Sequence, residues 1–384
     1  MYDDIKRFIA FTEENGFDKN QKLESKFYAF SIEGYSLLEL CCYHGAVDCF
    51  KLLLTKFNSK ITKQCLKCSF FGGNPEIMNE CLKYQEPDYD CMGYAIISHN
   101  IDFVTFLMNE YNIDIDISNC RYYKNLDAFL VYFDQTNDIN QCFIYSVMFN
   151  IPSLCNYFLT HGVNINAKNN NGQTALHCAA EYNCKETAEF LISQGANINE
   201  KDKDEKTALH CISFHRSIET AEVLISHGAN INEKDKTGST VLHYATLFKQ
   251  KELVKLLVSH GANINEKDEC GKTAFHCTSF HNTKDTIELL ISHGANINEK
   301  DNVGKTALHI AAYHNKKETA ETLISHGINI NEKNKYGETA LHNASRNNSK
   351  ETAEILISHG ANINEKDNDG KPLFILQHQI IMQK

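Results

Sequence analysis

Histidine and cysteine are the residues of this chain best equipped for chemistry, with eighteen of the first and fifteen of the second. Six histidines, His177, His210, His243, His276, His309 and His342, recur every 33 residues at the end of a Thr-x-x-His run. Six more, His161, His227, His260, His293, His326 and His359, each stand just before a glycine. A zinc site would need three or four ligands at about 2 Å from one ion. Equivalent residues of stacked helical units are separated by roughly 8–10 Å, the spacing of packed helices, so such a ladder cannot share an ion. Both histidine sets are therefore expected to be structural.

Most cysteines fare the same way. Cys178, Cys211 and Cys277 hold a position that Tyr244, Ile310 and Asn343 hold elsewhere, and a position open to those side chains does no thiol chemistry. Cys65 and Cys68 form a C-x-x-C with Cys41, Cys42 and His44 upstream. No second C-x-x-C completes a zinc set, and no βαβ pattern suggests a redox fold. Small apolar side chains in a helix core are the simpler reading. The GKT runs at 271–273 and 304–306 copy the end of a phosphate-binding loop, but Glu266 and Glu299 stand where its first glycine is needed. There is no HExxH, no GxSxG and no kinase signature. No enzyme, cofactor or metal is expected.

Composition agrees with a folded, soluble chain: 384 residues, 42% apolar, 23% charged, net charge −11. That charge speaks against nucleic acid as a partner. The N-terminus lacks the apolar stretch of a secretory signal, and no run reaches the ~18–20 apolar residues that span a bilayer. The expectation is an intracellular monomer with reduced thiols, in the cytoplasm, with the nucleus left open.

What positions these residues is a repeat. TALHCAA at Thr174 returns as TALHCIS at Thr207, TVLHYAT at Thr240, TAFHCTS at Thr273, TALHIAA at Thr306 and TALHNAS at Thr339, each step being 33 residues. Another start falls at Pro372. Within a unit, Thr306 caps a first helix with Leu308, Ile310 and Ala311 on its apolar stripe. Asn315, like Asn183, Asn282 and Asn348, stands at a turn that needs a left-handed residue. A second helix follows, with Leu323 and Ile324 predicted inward and Lys317 and Glu321 outward. Gly327 stops it, the preceding histidine suits the negative helix end, and NINEKNKYG reads as a turn or β-hairpin. Glu205 replaces the hairpin glycine of Gly172, Gly238, Gly271, Gly304, Gly337 and Gly370. One helix pair cannot bury its own apolar face, so the units must stack.

Period, Thr-x-Leu-His start, leucine pair and Gly-Ala-x-Ile-Asn close resemble the ankyrin repeat over about residues 141–384. The resemblance implies an all-α solenoid of stacked helix pairs with β-hairpin or turn connections. It further implies that the repeat histidine bridges threonine and neighbouring backbone. Residues 141–166 read as a degenerate unit, followed by six full ones from about 167 and a truncated one from about 366, where Ile375, Ile380 and Ile381 must cap the stack or fray. Residues 36–140, with starts at Ser36, near Cys65 and near Cys91, read as divergent ankyrin-like hairpins, irregular between 115 and 140. Residues 1–35 read as a capping segment. This half resembles the cryptic domain that precedes ankyrin arrays in large families of unicellular eukaryotes.

Positions constant across units serve stacking, and variable ones are free to read a partner. The variable set includes Phe214, His215, Leu247, Phe248, Phe280, His281, Tyr313 and His314 near the end of the first helix. It also includes the hairpin tips Asp204, Thr237, Cys270, Val303 and Tyr336. The ankyrin resemblance places both sets on a concave groove. Large aromatics with a polar rim are the composition of a protein-binding hot spot. The function expected is therefore a non-enzymatic scaffold or adaptor that binds a protein partner. The alternatives are a spacer or membrane-skeleton linker that binds through its N-terminal half, and an enzyme concealed in residues 1–140.

Overall fold

The computed structural model describes residues 4–14, 16–24, 34–281 and 283–371. Its contacts divide the chain into two compact units, residues 1–139 and 140–384.

In the first unit, a helix Ile5–Thr12 and a two-residue antiparallel pairing of Lys22–Leu23 with Tyr35–Ser36 precede the helical hairpins. These are Leu37–His44 with Val47–Thr55, Lys63–Gly72 with Pro75–Leu82, Tyr89–Ile97 with Ile101–Tyr111, and Ile117–Tyr122 with Leu126–Thr136. Each start has a local cause. Ser36 and Glu39 form a reciprocal capping box, and Asn74 caps a helix whose first residue is Pro75. The stretch that looked irregular is a short helix pair for the same reason: Asp116 accepts from the Ser118 N–H and Asn125 from the Ala128 N–H. Leu40, Cys41, Cys42, Leu53, Cys65, Leu66, Cys68 and Phe70 are sealed in its core. Helices Leu37–His44 and Lys63–Gly72 approach so closely that a Cβ at Gly72 would lie 2.1 Å from the Cys42 carbonyl oxygen.

The second unit opens within the helix Ile139–Ser146 and continues through Pro152–Thr160. Six helix pairs follow: Ala175–Glu181 with Lys185–Ser193, Ala208–His215 with Ile218–Ser226, Val241–Leu247 with Lys251–Ser259, Ala274–Thr278 with Lys284–Ser292, Ala307–Tyr313 with Lys317–Ser325, and Ala340–Arg346 with Lys350–Ser358. First helices pack on first helices and second on second. Leu308, Ile310 and Ala311 are buried as expected, and so is Leu323. Ile324 is not: it is half-exposed, while Ala320, one turn earlier, fills the inner stripe. A nine-residue helix has room for only one narrow apolar face.

Asn183, Asn315 and Asn348 take the left-handed turn between helices, with φ of 56°, 52° and 52°. Arg216 and Lys249 take it too, at φ 58° each, although neither side chain favours it. Glu205 sits at φ 60° in the place of the hairpin glycines. Asn282, Pro372, Ile375, Ile380 and Ile381 lie outside the described residues.

The connections are turns without strands in the described part of the array. Each is closed by its own backbone bond, such as Asp202 N–H to Lys206 O at 2.9 Å. Consecutive tips are joined by another, as from Lys236 N–H to Asp204 O and from Glu269 N–H to Thr237 O, both 2.9 Å. Behind the tips run two side-chain ladders. The Asn232 side-chain oxygen accepts from the Asn263 N–H at 2.7 Å, and Asn265 from Asn296 at 3.0 Å. Lys201, Lys234, Lys267, Lys300 and Lys333 each bridge forward to Glu233, Glu266, Glu299, Glu332 and Glu365 at 2.5–2.7 Å.

Candidate protein-binding groove

The constant histidines lock the joints. In the unit starting at Thr174, the backbone N–H of Thr174 donates to His177 Nδ1 at 3.1 Å, and the Thr174 hydroxyl lies 2.8 Å from the same nitrogen. His177 Nε2 reaches the Lys206 carbonyl of the next unit at 3.0 Å. A carbonyl only accepts, so the proton must sit on Nε2 and leave Nδ1 as acceptor. His210, His243, His276 and His309 repeat the arrangement with Ser239, Lys272, Lys305 and Glu338 carbonyls. Burial depresses the pKa of all six repeat imidazoles, His309 to about 4, which keeps them neutral. In His342, Nε2 is buried without an acceptor among the described residues.

The second histidine set uses the opposite nitrogen. His227 Nδ1 donates to the Val223 carbonyl at 2.8 Å, and His260, His293, His326 and His359 do the same to the residue four back. These rings give a second donor to carbonyls of the last helical turn, four of which, those of Val223, Leu256, Thr322 and Ile355, also accept the histidine's own backbone N–H.

Fourteen of the fifteen cysteines are buried, and Cys270 at a hairpin tip is exposed. Cys65 accepts a hydrogen bond from the Thr62 hydroxyl and Cys68 from the Gln64 amide, both at 3.4 Å. Burial pushes the Cys68 thiol up to about 12. Burial raises the Cys42 thiol as well, with Cys65 and Cys81 beside it adding to the shift. Among the described residues no three His, Cys, Asp or Glu side chains are grouped to hold a metal ion.

The variable positions gather around clefts between first helices and tips. Phe214 is 45% exposed, Phe248 41% and Tyr313 46%, unusual values for large rings in an otherwise packed array. Phe214 and Phe248 have ring centroids 5.6 Å apart. Tyr244 completes this cluster at 6.1 and 6.2 Å, its hydroxyl donating to Asp235 at 2.5 Å. A second cluster joins Phe280, His314 and Tyr313, with His314 at 4.9 Å from each of the other two rings. Leu247 is half-buried. His215 is exposed and stacks on Tyr182, with Nε2 3.7 Å from the Glu181 carboxylate. His281 is half-buried. Phe280 and His281 stand in a turn, because the first helix of their unit stops at Thr278.

Cys270 and Val303 line one cleft of about 480 Å3 with Phe280, Tyr313 and His314. Asp204 lines another of about 490 Å3 with Glu181, Cys211 and Phe214. Thr237 and Tyr336 are exposed tips that neither cleft includes.

Sequence reasoning passed over Tyr244 and three lysines. Lys206 Nζ lies 5.4 Å from the ring centroids of both Phe214 and Tyr244, Lys272 lies 5.5 Å from that of Phe280, and Lys305 lies 5.9 Å from that of Tyr313. Their signal was present: the residue before each repeat threonine varies, as Gln173, Lys206, Ser239, Lys272, Lys305 and Glu338.

Stacked helix pairs with constant joints and a variable, ring-lined face define a helical repeat protein. The model for ankyrin repeats (three copies) matches residues 120–202, 143–235, 194–268, 242–334 and 275–367, so the chain belongs to the ankyrin repeat family. A domain of unknown function, DUF3447, matches residues 57–132. No curated protein matches the sequence. Among solved structures, the ankyrin repeat domain of human ASB11 is similar at 24% identity and a TM-score of 0.49, covering 52% of this chain and 90% of that one. Ankyrin repeats in general mediate protein–protein interaction and are typically not enzymes. Among the described residues, no helix is long and apolar enough to cross a membrane.

Proposed function

We propose that this chain is a non-enzymatic scaffold whose repeat array holds a segment of a protein partner along the first-helix and hairpin-tip face. The observation that carries this reading is the pair of exposed ring clusters, Phe214–Tyr244–Phe248 and Phe280–His314–Tyr313, at positions that vary from unit to unit. The rings also touch across adjacent units, but that packing alone does not require Phe214, Phe248 and Tyr313 to stay 41–46% exposed. Aromatic anchors of this kind dominate the energy of protein interfaces. The tips Asp204, Thr237, Cys270, Val303 and Tyr336 supply a polar and chemically varied rim that discriminates among partners.

The double variant Phe214→Ala with Phe280→Ala should lose partners that the intact chain captures from cells, with the helical content of both proteins equal by circular dichroism. Unchanged capture would remove the groove from the proposal. A second reading places binding in residues 1–139 and makes the array a spacer. It is favoured by a cleft of about 670 Å3 whose lining includes Phe50, Leu54, Ile61, Ile77 and Tyr84. Tyr84→Ala with Leu54→Ser would then abolish the capture that the groove variant leaves intact.

A further inference from the structure

Charge in the repeat array is distributed unequally between its two lysine sets. The lysines of the outer ladder are each neutralised by a glutamate of the following unit. Lys206, Lys272 and Lys305 are not: among the described residues none has a carboxylate within ion-pair distance. Their stems are half-buried against the rings, which holds the ammonium groups over the aromatic faces.

The aspartates beside them are already engaged. Asp202 accepts from the N–H groups of Asp204 and Lys206, Asp268 from that of Lys272, and Asp301 from those of Val303 and Lys305, at 2.7–2.9 Å. Asp235 is taken by Thr237, Ser239 and the Tyr244 hydroxyl. The cleft floor therefore offers lysine ammonium groups with unused donors beside the rings, while Asp202, Asp268 and Asp301 each direct one carboxylate oxygen into their own turns. At the far end Glu338 reverses the sign and is paired with Arg346.

Building on the groove reading, we infer that the partner segment is an extended acidic–apolar polypeptide whose carboxylates meet Lys206, Lys272 and Lys305. Its apolar side chains pack on the rings between them. An extended chain rises about 3.3 Å per residue and packed helix pairs repeat every 8–10 Å, so each unit spans about three residues of the segment. Lys272 and Lys305 belong to adjacent units and Lys206 lies two units before Lys272. The matching acids are then about three and about six residues apart, with an apolar residue over Tyr244 and Phe248, where Ser239 replaces the lysine. A nucleic acid fits less well, because a phosphate at every nucleotide would also meet the exposed tip acids Asp204 and Glu269, whereas a polypeptide can place its acids at the lysines alone.

The test selects a displayed library of random peptides, about twelve residues long and so able to span the three lysines, on the full chain. Enriched peptides, labelled with a fluorophore, are then titrated by anisotropy. Expected are peptides with acids at that spacing and apolar residues between them. Their affinity should fall about tenfold or more in the triple variant Lys206→Gln, Lys272→Gln, Lys305→Gln. Lys272→Glu with Lys305→Glu should move the preference to lysine-bearing peptides.

Enriched peptides without acids, or indifferent to the triple variant, would overturn the acidic assignment. If their binding still depends on Phe214 and Phe280, the groove itself stands. Peptides that ignore Phe214→Ala with Phe280→Ala, or a library that yields no binder, would overturn the groove reading as well. Tighter binding of an oligodeoxythymidine than of any peptide would also overturn the inference.

Discussion

One residue of the array sits against its own conformational preference. Glu205 holds φ 60° where its counterparts are glycines, from Gly238 at 73° to Gly304 at 80°. A side chain in the left-handed region costs roughly 1 kcal/mol relative to glycine, and the exposed Lys201–Glu205 pair at 3.7 Å returns little of it. Glu205→Gly should raise unfolding free energy by about 0.5–1 kcal/mol in urea titration. A loss of stability would show that the carboxylate has an undetected role. Arg216 and Lys249 share the conformation between helices, and there Asn183 shows what a better-suited residue gains. Its amide oxygen accepts from the Thr220 N–H of the next unit at 3.2 Å, a bond the longer side chains cannot copy.

Helix pairs were legible because their causes are local. Thr306, Asn315 and Gly327 mark cap, turn and stop within one unit, and the structure keeps all three roles. What the sequence hid depends on neighbours. Ile324 lost its inward place to Ala320 because only the packing of adjacent second helices decides which face is narrow enough. The helix Ala274–Thr278 stops short of Phe280 although its start matches the others, so periodicity could not place that ring in a turn. Nothing in the sequence put Lys206, Lys272 and Lys305 over rings, because each meets Phe214, Phe280 or Tyr313 of its own unit only once the hairpin folds back on the first helix.

At this scale the outer ladder invites overestimation. Lys234 bridges Glu266 at 2.6 Å and donates to the Lys267 carbonyl at 2.9 Å, but its side chain is 42% exposed. Lys234→Met should cost less than about 1 kcal/mol, and less again in about 1 M salt, where such pairs are screened. A loss above about 2 kcal/mol would mean the ladder acts cooperatively and not pair by pair.

Across the whole array the neutral histidines add up. Unfolded imidazole titrates near about 6.5, and burial lowers the folded value of each repeat histidine, His309 to about 4. A lowered folded pKa means the unfolded chain takes up more protons, so this stability is complete above about pH 6.5 and drains away as pH falls toward about 4. Glu233, Glu266 and Glu299, also lowered, by hydrogen bonds from their lysines, add their losses only below the ordinary carboxylate range. The interval from about pH 6.5 to 5 therefore belongs to histidine. Urea titrations there should show steadily falling stability, with a shallower slope in His276→Gln. Constant stability across that interval would contradict neutral, buried rings.

The joints between units repeat the same histidine, asparagine and lysine contacts, and that has a consequence for how such a gene can change length. Histidine, asparagine and lysine each find their partner one module onward, whichever module that is. Unequal crossing-over that duplicated or removed one whole unit would recreate every seam without repacking a core. Only the row of rings and lysines facing the partner would be lengthened or cut, so copy number can drift under the scaffold while the message it reads is rewritten a few residues at a time.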